Sequence, residues 1–333
     1  MAELKAGYVR RYNSLVSAFD AAMGSGLLAN RRLRSQMVDI AEVADKIFRF
    51  ETPVSFALYP PTVYVIREAE AVLIEPGPSA TIPVVREALG YLGIKDLAYI
   101  IPTHVHMDHA GGAGTLARLY PGAKVLVHPR GAKHAVDPSR LIQGVKMVWG
   151  DDFEARFGAI DCVAESQIKI PDDGEIVPVG ERELQIIYAP GHAPHHMVIF
   201  DRKVKGLFCG EALGLPYSQL PAVAPMSFDL ETYLATIDKL QRLKLGAEMI
   251  FYSHGGVELE PDALMARAAE SARLYGDMVL QALKAGEAHD AIVGKVGEHI
   301  AAHHDYDVDM RGVGITVAGY TIYFESKGLI QRD

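Results

Sequence analysis

Cysteine is scarce in this chain. Its 333 residues carry only Cys162 and Cys209, so no disulfide framework organises the fold. No uninterrupted apolar run approaches the ~18 residues of a membrane span. The N-terminus shows no hydrophobic signal core followed by a cleavage site. A cytoplasmic protein with no membrane partner is therefore expected. Basic residues are outnumbered, 33 Lys and Arg against 42 Asp and Glu, for a formal net charge of -9. Nucleic acid needs clustered positive charge, so no nucleic-acid partner is expected. Low-complexity segments and internal repeats are absent. With 49% hydrophobic and 23% charged residues, the composition is that of an ordinary globular protein of one large or two modest domains.

Histidine, by contrast, is concentrated. The stretch Thr103-His104-Val105-His106-Met107-Asp108-His109-Ala110-Gly111-Gly112 puts three histidines and one aspartate into six residues. The apolar run Leu97 to Ile101 reads as a buried strand that stops at Pro102. The small residues Gly111 to Gly114 lead into a helix-like segment. The cluster thus sits on a loop between a strand end and a helix start, where layered α/β proteins build their sites. His104 and His106 can project to one side, while Asp108 and His109 turn toward a second point. Imidazole nitrogen with carboxylate oxygen suits zinc, iron or manganese.

This stretch resembles the HxHxDH motif of the metallo-β-lactamase superfamily. The resemblance extends to Ala189-Pro190-Gly191-His192, to Phe208-Cys209-Gly210-Glu211 and to Phe251-Tyr252-Ser253-His254-Gly255, all in family order. It implies an α/β fold, the αββα sandwich: two mixed sheets face to face, helices outside, metals at one edge. It also implies a ligand set. His104, His106 and His192 would hold one divalent ion, Asp108, His109 and His254 a second, and Glu211 would bridge them, zinc being the first choice and iron or manganese the alternatives. Most relatives have Asp at the position of Glu211. The implied activity is metal-dependent hydrolysis of an ester, thioester or lactone in a small-molecule substrate. A hydroxide held between the two ions would attack, with Asp108 as the catalytic acid that steers it and protonates the leaving group. A diiron oxygen-binding or redox protein and a phosphodiesterase are the alternatives. The diiron relatives typically carry Glu at the position of His106.

The chain divides into an N-terminal helical extension (1–36), a family-like core (37–258) and a C-terminal helical module (259–333). In the extension, Tyr8, Tyr12, Leu15 and Phe19 recur at helical spacing beside Arg10, Arg11, Arg31, Arg32 and Arg34. This reads as a helix packed on the core, or as a homodimer contact or a wall of the active site. Ala71 to Ile74 resembles the family's strand before the first helix, which usually ends in an acid-plus-Gly turn near the metals, a turn that Glu75 and Gly77 would supply here. Trp149, Phe153 and Phe157 recur every four residues and are read on one helix face, as core packing or as an apolar lid that contacts substrate. Strand alternation places Cys209 and Glu211 on one face. His195 and His196 are read as support for His192. Residues 213 to 228 are expected to line the pocket, with Tyr217 as a candidate donor to a substrate carbonyl. Asp229 is read as the N-cap of the next helix. The tail reads as helices over 262–285, 290–302 and about 315–327, stopping at Gly328, with Leu329-Ile330 opening a short strand in a winged-helix-like arrangement. His303-His304-Asp305 is read as a solvated cluster.

Overall fold

Short apolar runs punctuated by Pro and Gly fold here into two mixed sheets. The computed structural model describes residues 39–52, 60–216, 220–303 and 308–330. The N-terminal helix read over 1–36, Tyr217, His304 and Asp305 lie outside the described residues. The first sheet has seven strands in sequential order: β1 (Ala41–Ala44), β2 (Ile47–Glu51), β3 (Thr62–Ile66), β4 (Val72–Ile74), β5 (Tyr99–Ile101), β6 (Lys124–Leu126) and β7 (Ile168–Lys169). Its first four strands are antiparallel and the rest pair parallel. The second sheet has six strands, β8 (Ile176–Val179), β9 (Arg182–Tyr188), β10 (Met197–Asp201), β11 (Gly206–Gly210), β12 (Met249–Tyr252) and β13 (Gly256–Leu259), also in sequential order. All its pairs are antiparallel except β11 with β12.

Period-two alternation sends each strand's side chains into two different cores. Tyr64, Ile66, Ile74 and Ile101 of the first sheet meet Leu184, Ile186, Ile199, Phe208 and Phe251 of the second in the layer between the sheets. Val63, Val65, Leu73 and Ile100 face outward and pack beneath helices α1 (Ile82–Tyr91) and α3 (Ala113–Leu119), with the single turn α2 (Met107–Ala110) between them in sequence. Val198, Leu207, Cys209 and Ile250 face outward on the other side. They share one apolar cluster with four helices, α7 (Leu230–Arg242), α8 (Pro261–Lys284), α9 (His289–His303) and α10 (Met310–Ser326). The order of layers is helix, sheet, sheet, helix, the expected sandwich. Asp229 caps α7, its carboxylate accepting from the Thr232 N–H at 2.8 Å.

Three local expectations are corrected. Between α4 (Pro129–Val136) and β7, the helix α5 (Ser139–Trp149) stops at Gly150, whose φ of +87° favours a residue without Cβ. A separate short helix, α6 (Phe153–Phe157), follows, so the single helix expected from Trp149 to Phe157 is broken in two, and the Trp149 side chain lies outside what the structure describes. Phe153 and Phe157 are 0% and 1% exposed and pack with Met107 and Val145, so they are core residues here, not a surface offered to substrate. In the tail, α10 begins at Met310, earlier than expected, because Asp309 supplies a cap to the Arg311 N–H at 3.1 Å. After Gly328 (φ +69°) the Leu329 N–H returns to the Phe324 carbonyl, and Ile330 packs on the helical cluster. Among the described residues no strand forms at Leu329-Ile330.

Away from the histidine-rich end, a buried arginine ties the sheets together. Arg182 is 1% exposed at the start of β9. It donates to Asp201 Oδ2 at 2.7 Å, to Glu68 Oε1 at 2.9 Å and to the Asp45 carbonyl. Burial alone would raise the Glu68 pKa, but its bonds to Lys46 and Arg182 outweigh this and hold it below the ordinary glutamate range. Removing the cation strands a buried carboxylate at Asp201, so Arg182→Ala is expected to cost about 3–5 kcal/mol in denaturant unfolding. A depressed carboxyl pKa contributes stability above its unfolded value. Wild-type stability from Glu68 is therefore expected to decline as pH falls below about 4.3, and to decline less in the variant. Equal stability of the two proteins would contradict this account.

Candidate metal centre

The histidine-rich loop is shaped by its ends. Pro102 lacks an N–H and closes β5. His106 then precedes the single turn α2, which places Asp108 in the first turn, where the N-terminal dipole favours a carboxylate. Gly112 packs closely on the turn after β4: its N–H donates to the Gly77 carbonyl at 2.7 Å, and a Cβ would come within 2.5 Å of Ile82 Cδ1. The loop is thereby pressed against Glu75 and Gly77.

Seven side chains from four segments converge there into two groups. His104, His106, His192 and Glu211 form one, and Asp108, His109 and His254 the other, each with donor atoms within 4.8 Å of one another. In the first, His106 Nδ1 stands 2.8 Å from His104 Nε2 and 3.0 Å from His192 Nε2. In the second, Asp108 Oδ2 lies 3.6 Å from His109 Nε2 and 3.8 Å from His254 Nε2. Glu211 Oε2 connects the groups, 2.9 Å from His192 Nε2 and 3.3 Å from both His104 Nε2 and His109 Nε2.

The backs of the rings decide what their fronts can do. His192 Nδ1 donates to the Ala222 carbonyl at 2.9 Å, and His109 Nδ1 donates to Glu75 Oε2 at 3.1 Å. His104 Nδ1 lies 3.1 Å from Thr103 Oγ1, whose own proton goes to Glu75 Oε1, so the hydroxyl accepts from the imidazole. All three rings therefore carry their proton on Nδ1 and turn an Nε2 lone pair inward. His109 Nε2 is buried without a hydrogen-bond partner among the described residues. Two nitrogens bound to one tetrahedral zinc at ~2.0–2.1 Å stand about 3.3 Å apart, close to the spacings here. The donor set, its orientation and its spacing fit divalent cations.

Burial, then the neighbouring His109 and His106, holds His104 well below the ordinary histidine range. Burial and His192 do the same to His106. Burial would lower His109 and raise Glu211, but in each the surrounding opposite charges win: Asp108 and Glu75 raise His109, and His192 with its neighbours lowers Glu211. The same carboxylates that attract a proton attract a metal cation.

In the sequence Glu75 is legible only as part of a turn near the metals, and the structure makes it a hub. Its carboxylate is 2% exposed and takes bonds from Thr103, His109 and Ser253 Oγ, the last at 2.8 Å. It thus positions a residue next to His104, His109 itself and the residue preceding His254. His196 accepts the Glu211 N–H on Nε2 at 3.1 Å, which supports the loop carrying Glu211. Gly210 adopts φ +55°, and a Cβ there would meet His196 Nε2 at 2.5 Å and Thr103 Oγ1 at 2.6 Å. This left-handed residue breaks the strand alternation. Cys209 keeps the alternation and faces the outer apolar cluster with Leu207, while Glu211 turns toward the imidazoles, so their expected placement on one face is corrected. His195 Nδ1 accepts the Val105 N–H at 3.4 Å, between two of the clustered histidines.

The family model of the metallo-beta-lactamase superfamily matches residues 57–254, more than half of the chain. The metallo-beta-lactamase fold-containing protein ST1585 of Sulfurisphaera tokodaii is 27% identical over 202 residues, 59% of this chain and 73% of that protein. The acyl-coenzyme A thioesterase MBLAC2 of Homo sapiens is 29% identical over 138 residues, and the match spans 36% of this chain and less than half, 45%, of that protein. Among solved structures, the metallo-beta-lactamase family protein TTHA1429 of Thermus thermophilus shares the fold with a TM-score of 0.66 at 19% identity, covering 85% of this chain and 94% of that one.

The shared oxygen and the hub each generate a test. Glu211→Ala is expected to lose at least one metal equivalent by elemental analysis, and Glu211→Asp, about 1.5 Å shorter, to hold both more weakly; two tightly held metals in Glu211→Ala would place the bridge elsewhere. Glu75→Gln keeps the shape but removes the charge behind His109. In chelator competition it is expected to weaken the ion at Asp108, His109 and His254 by about 10–100-fold and the other ion less; equal weakening of both would argue against this role.

Proposed function

The chain belongs to the metallo-beta-lactamase superfamily, and from that membership we propose that it is a metal-dependent hydrolase of an ester, thioester or lactone. The observation that carries the reading is the position of Glu211 Oε2, 3.3 Å from imidazoles of both groups. One carboxylate facing two sets of inward lone pairs suits two divalent ions, with zinc favoured by the nitrogen-rich donors and iron or manganese as alternatives. When bound, such ions would acidify water and polarise a substrate oxygen.

The protein's own groups would divide the remaining work. His104, His106 and His192 would hold one ion, and Asp108, His109 and His254 the other. Thr103, Glu75 and Ala222 keep the rings from turning. The Asp108 side chain is the more open of the two clustered carboxylates, 35% exposed against 13% for Glu211. It is the group placed to hold a proton for a leaving atom. Leu213, Leu220 and Val223, which follow Glu211, are buried in the cluster beneath the C-terminal helices and are packing residues rather than a wall offered to substrate. The thioesterase named among the relatives supports an acyl substrate.

Elemental analysis coupled to a panel of thioesters, lactones and phosphodiesters tests the proposal. The expected result is about two metals per chain and turnover of an acyl substrate, abolished by chelation and restored by added metal. A protein that holds two metals yet turns over only phosphodiesters, or nothing, would overturn the acyl assignment. Iron content with a visible absorption band and no hydrolysis would instead favour a redox role.

A further inference from the structure

One ring beside the metal centre belongs to neither group of ligands. His195 follows His192 in the same loop, and both groups are complete without it. Its ring centroid stands 5.4 Å from that of His106, the planes nearly perpendicular, and 6.1 Å from that of His104, the planes nearly parallel. Its Nδ1 accepts the Val105 N–H at 3.4 Å. A ring nitrogen that accepts a backbone N–H carries no proton, so the neutral ring carries its proton on Nε2. This is the reverse of His104, His109 and His192, and it makes Nε2 of His195 a donor rather than a ligand. That Nε2–H makes no hydrogen bond with any described residue. Unlike the unpartnered His109 Nε2 and His196 Nδ1 it is not buried, so it meets solvent.

The open donor stands on the open side of the centre. Among the three histidines of the first group, His104 and His192 are buried and His106 is half-buried, so the group meets solvent at His106. His195 is itself half-buried and adjoins that ring. It is held from behind: Gly131 of α4 packs against both partners of the Val105 bond, and a Cβ there would come within 2.9 Å of Val105 Cγ1 and 3.4 Å of His195 Cβ. We propose that His195 is a specificity-determining residue whose Nε2–H donates to an uncharged oxygen of the substrate, a hydroxyl or carbonyl close to the acyl group that is cleaved. The inference rests on the hydrolase reading above and names the acyl feature that the site selects. A ring adjoining His106 reaches the part of a substrate nearest the ions, which is its acyl end. A neutral N–H selects an oxygen acceptor without demanding an anion, and one such bond changes an equilibrium by about two- to tenfold.

Two substitutions separate this role from support of the histidine loop. In His195→Asn the amide oxygen takes the place of Nδ1 and still accepts from Val105, but nothing reaches the Nε2 position. In His195→Gln an amide N–H reaches the Nε2 position while the Val105 acceptor is given up. With metal-loaded protein, kcat/KM is compared for β-hydroxyacyl thioesters and for unsubstituted acyl thioesters of equal length. The ratio, hydroxylated over plain, is expected to fall about two- to tenfold in His195→Asn, through KM and with metal content unchanged, and to recover in His195→Gln. A ratio unchanged in His195→Asn, or a fall that comes with loss of metal, overturns the proposal and leaves His195 a support of the loop. Calorimetric titration of the zinc-loaded protein with β-hydroxybutyrate and with butyrate reads the same contact where no thioester is turned over. Any grip of the ions on these acids is common to both proteins. Tighter binding of the hydroxylated acid that is lost in His195→Asn then keeps the contact and rejects the hydrolase reading alone, whereas the same difference in both proteins overturns the contact.

Discussion

The structure depends on burying lone pairs that face one another. Rings of His104, His106 and His192 bring nitrogens to 2.8–3.0 Å of one another. Burial disfavours protonating His104 and His106, so both rings stay neutral and their nitrogens remain available to a cation. Only a cation can satisfy several inward lone pairs at once. The arrangement persists because the far sides of the His104, His109 and His192 rings are anchored, and those anchors come from both sheets of the fold.

Those anchors explain why the site stands at this edge of the sandwich. The ends of β4, β5 and β12 lie close enough for one carboxylate, Glu75, to take bonds from Thr103, His109 and Ser253. The Met197 N–H reaches the Thr103 carbonyl at 2.8 Å and links the second sheet to the histidine loop. At the other end Arg182 performs the analogous task with carboxylates of its own. Polar closure at both ends leaves an apolar middle layer, where Tyr64, Phe208 and Phe251 pack with ring centroids 4.4–5.4 Å apart.

Glutamate at position 211 is accommodated by the glycine before it. A bulge at Gly210 takes the chain out of the β11 register with β12 and turns the longer side chain toward three imidazoles. The space that a Cβ would fill is occupied by His196 and Thr103, so the same glycine also admits the supports of the site. Cys209, just before the glycine, keeps the strand's alternation and faces outward. It contributes a buried apolar thiol to the layer under the C-terminal helices, which cover the sheet in one continuous cluster.

What the sequence determined by itself is chemical identity and order. The spacing of His104, His106, Asp108 and His109, the later His192, Glu211 and His254, and the strand before each are properties of neighbouring residues, set by local periodicity and by Pro and Gly. The sandwich followed from them through the family resemblance. Tertiary structure alone decided which nitrogen of His104, His109 and His192 faces inward and that Glu75 stands behind His109. It also decided that Phe153 and Phe157 are core. The physical reason is that each of these rests on contacts between distant segments, or on a single left-handed glycine. Glu75 and Ser253, for example, meet across 178 residues of chain. Helical spacing from Trp149 to Phe157 is erased by the φ of Gly150, and strand alternation from Cys209 to Glu211 by that of Gly210. A pattern read from residue types presumes a regular backbone, and the backbone departs from regularity where the packed layers require it.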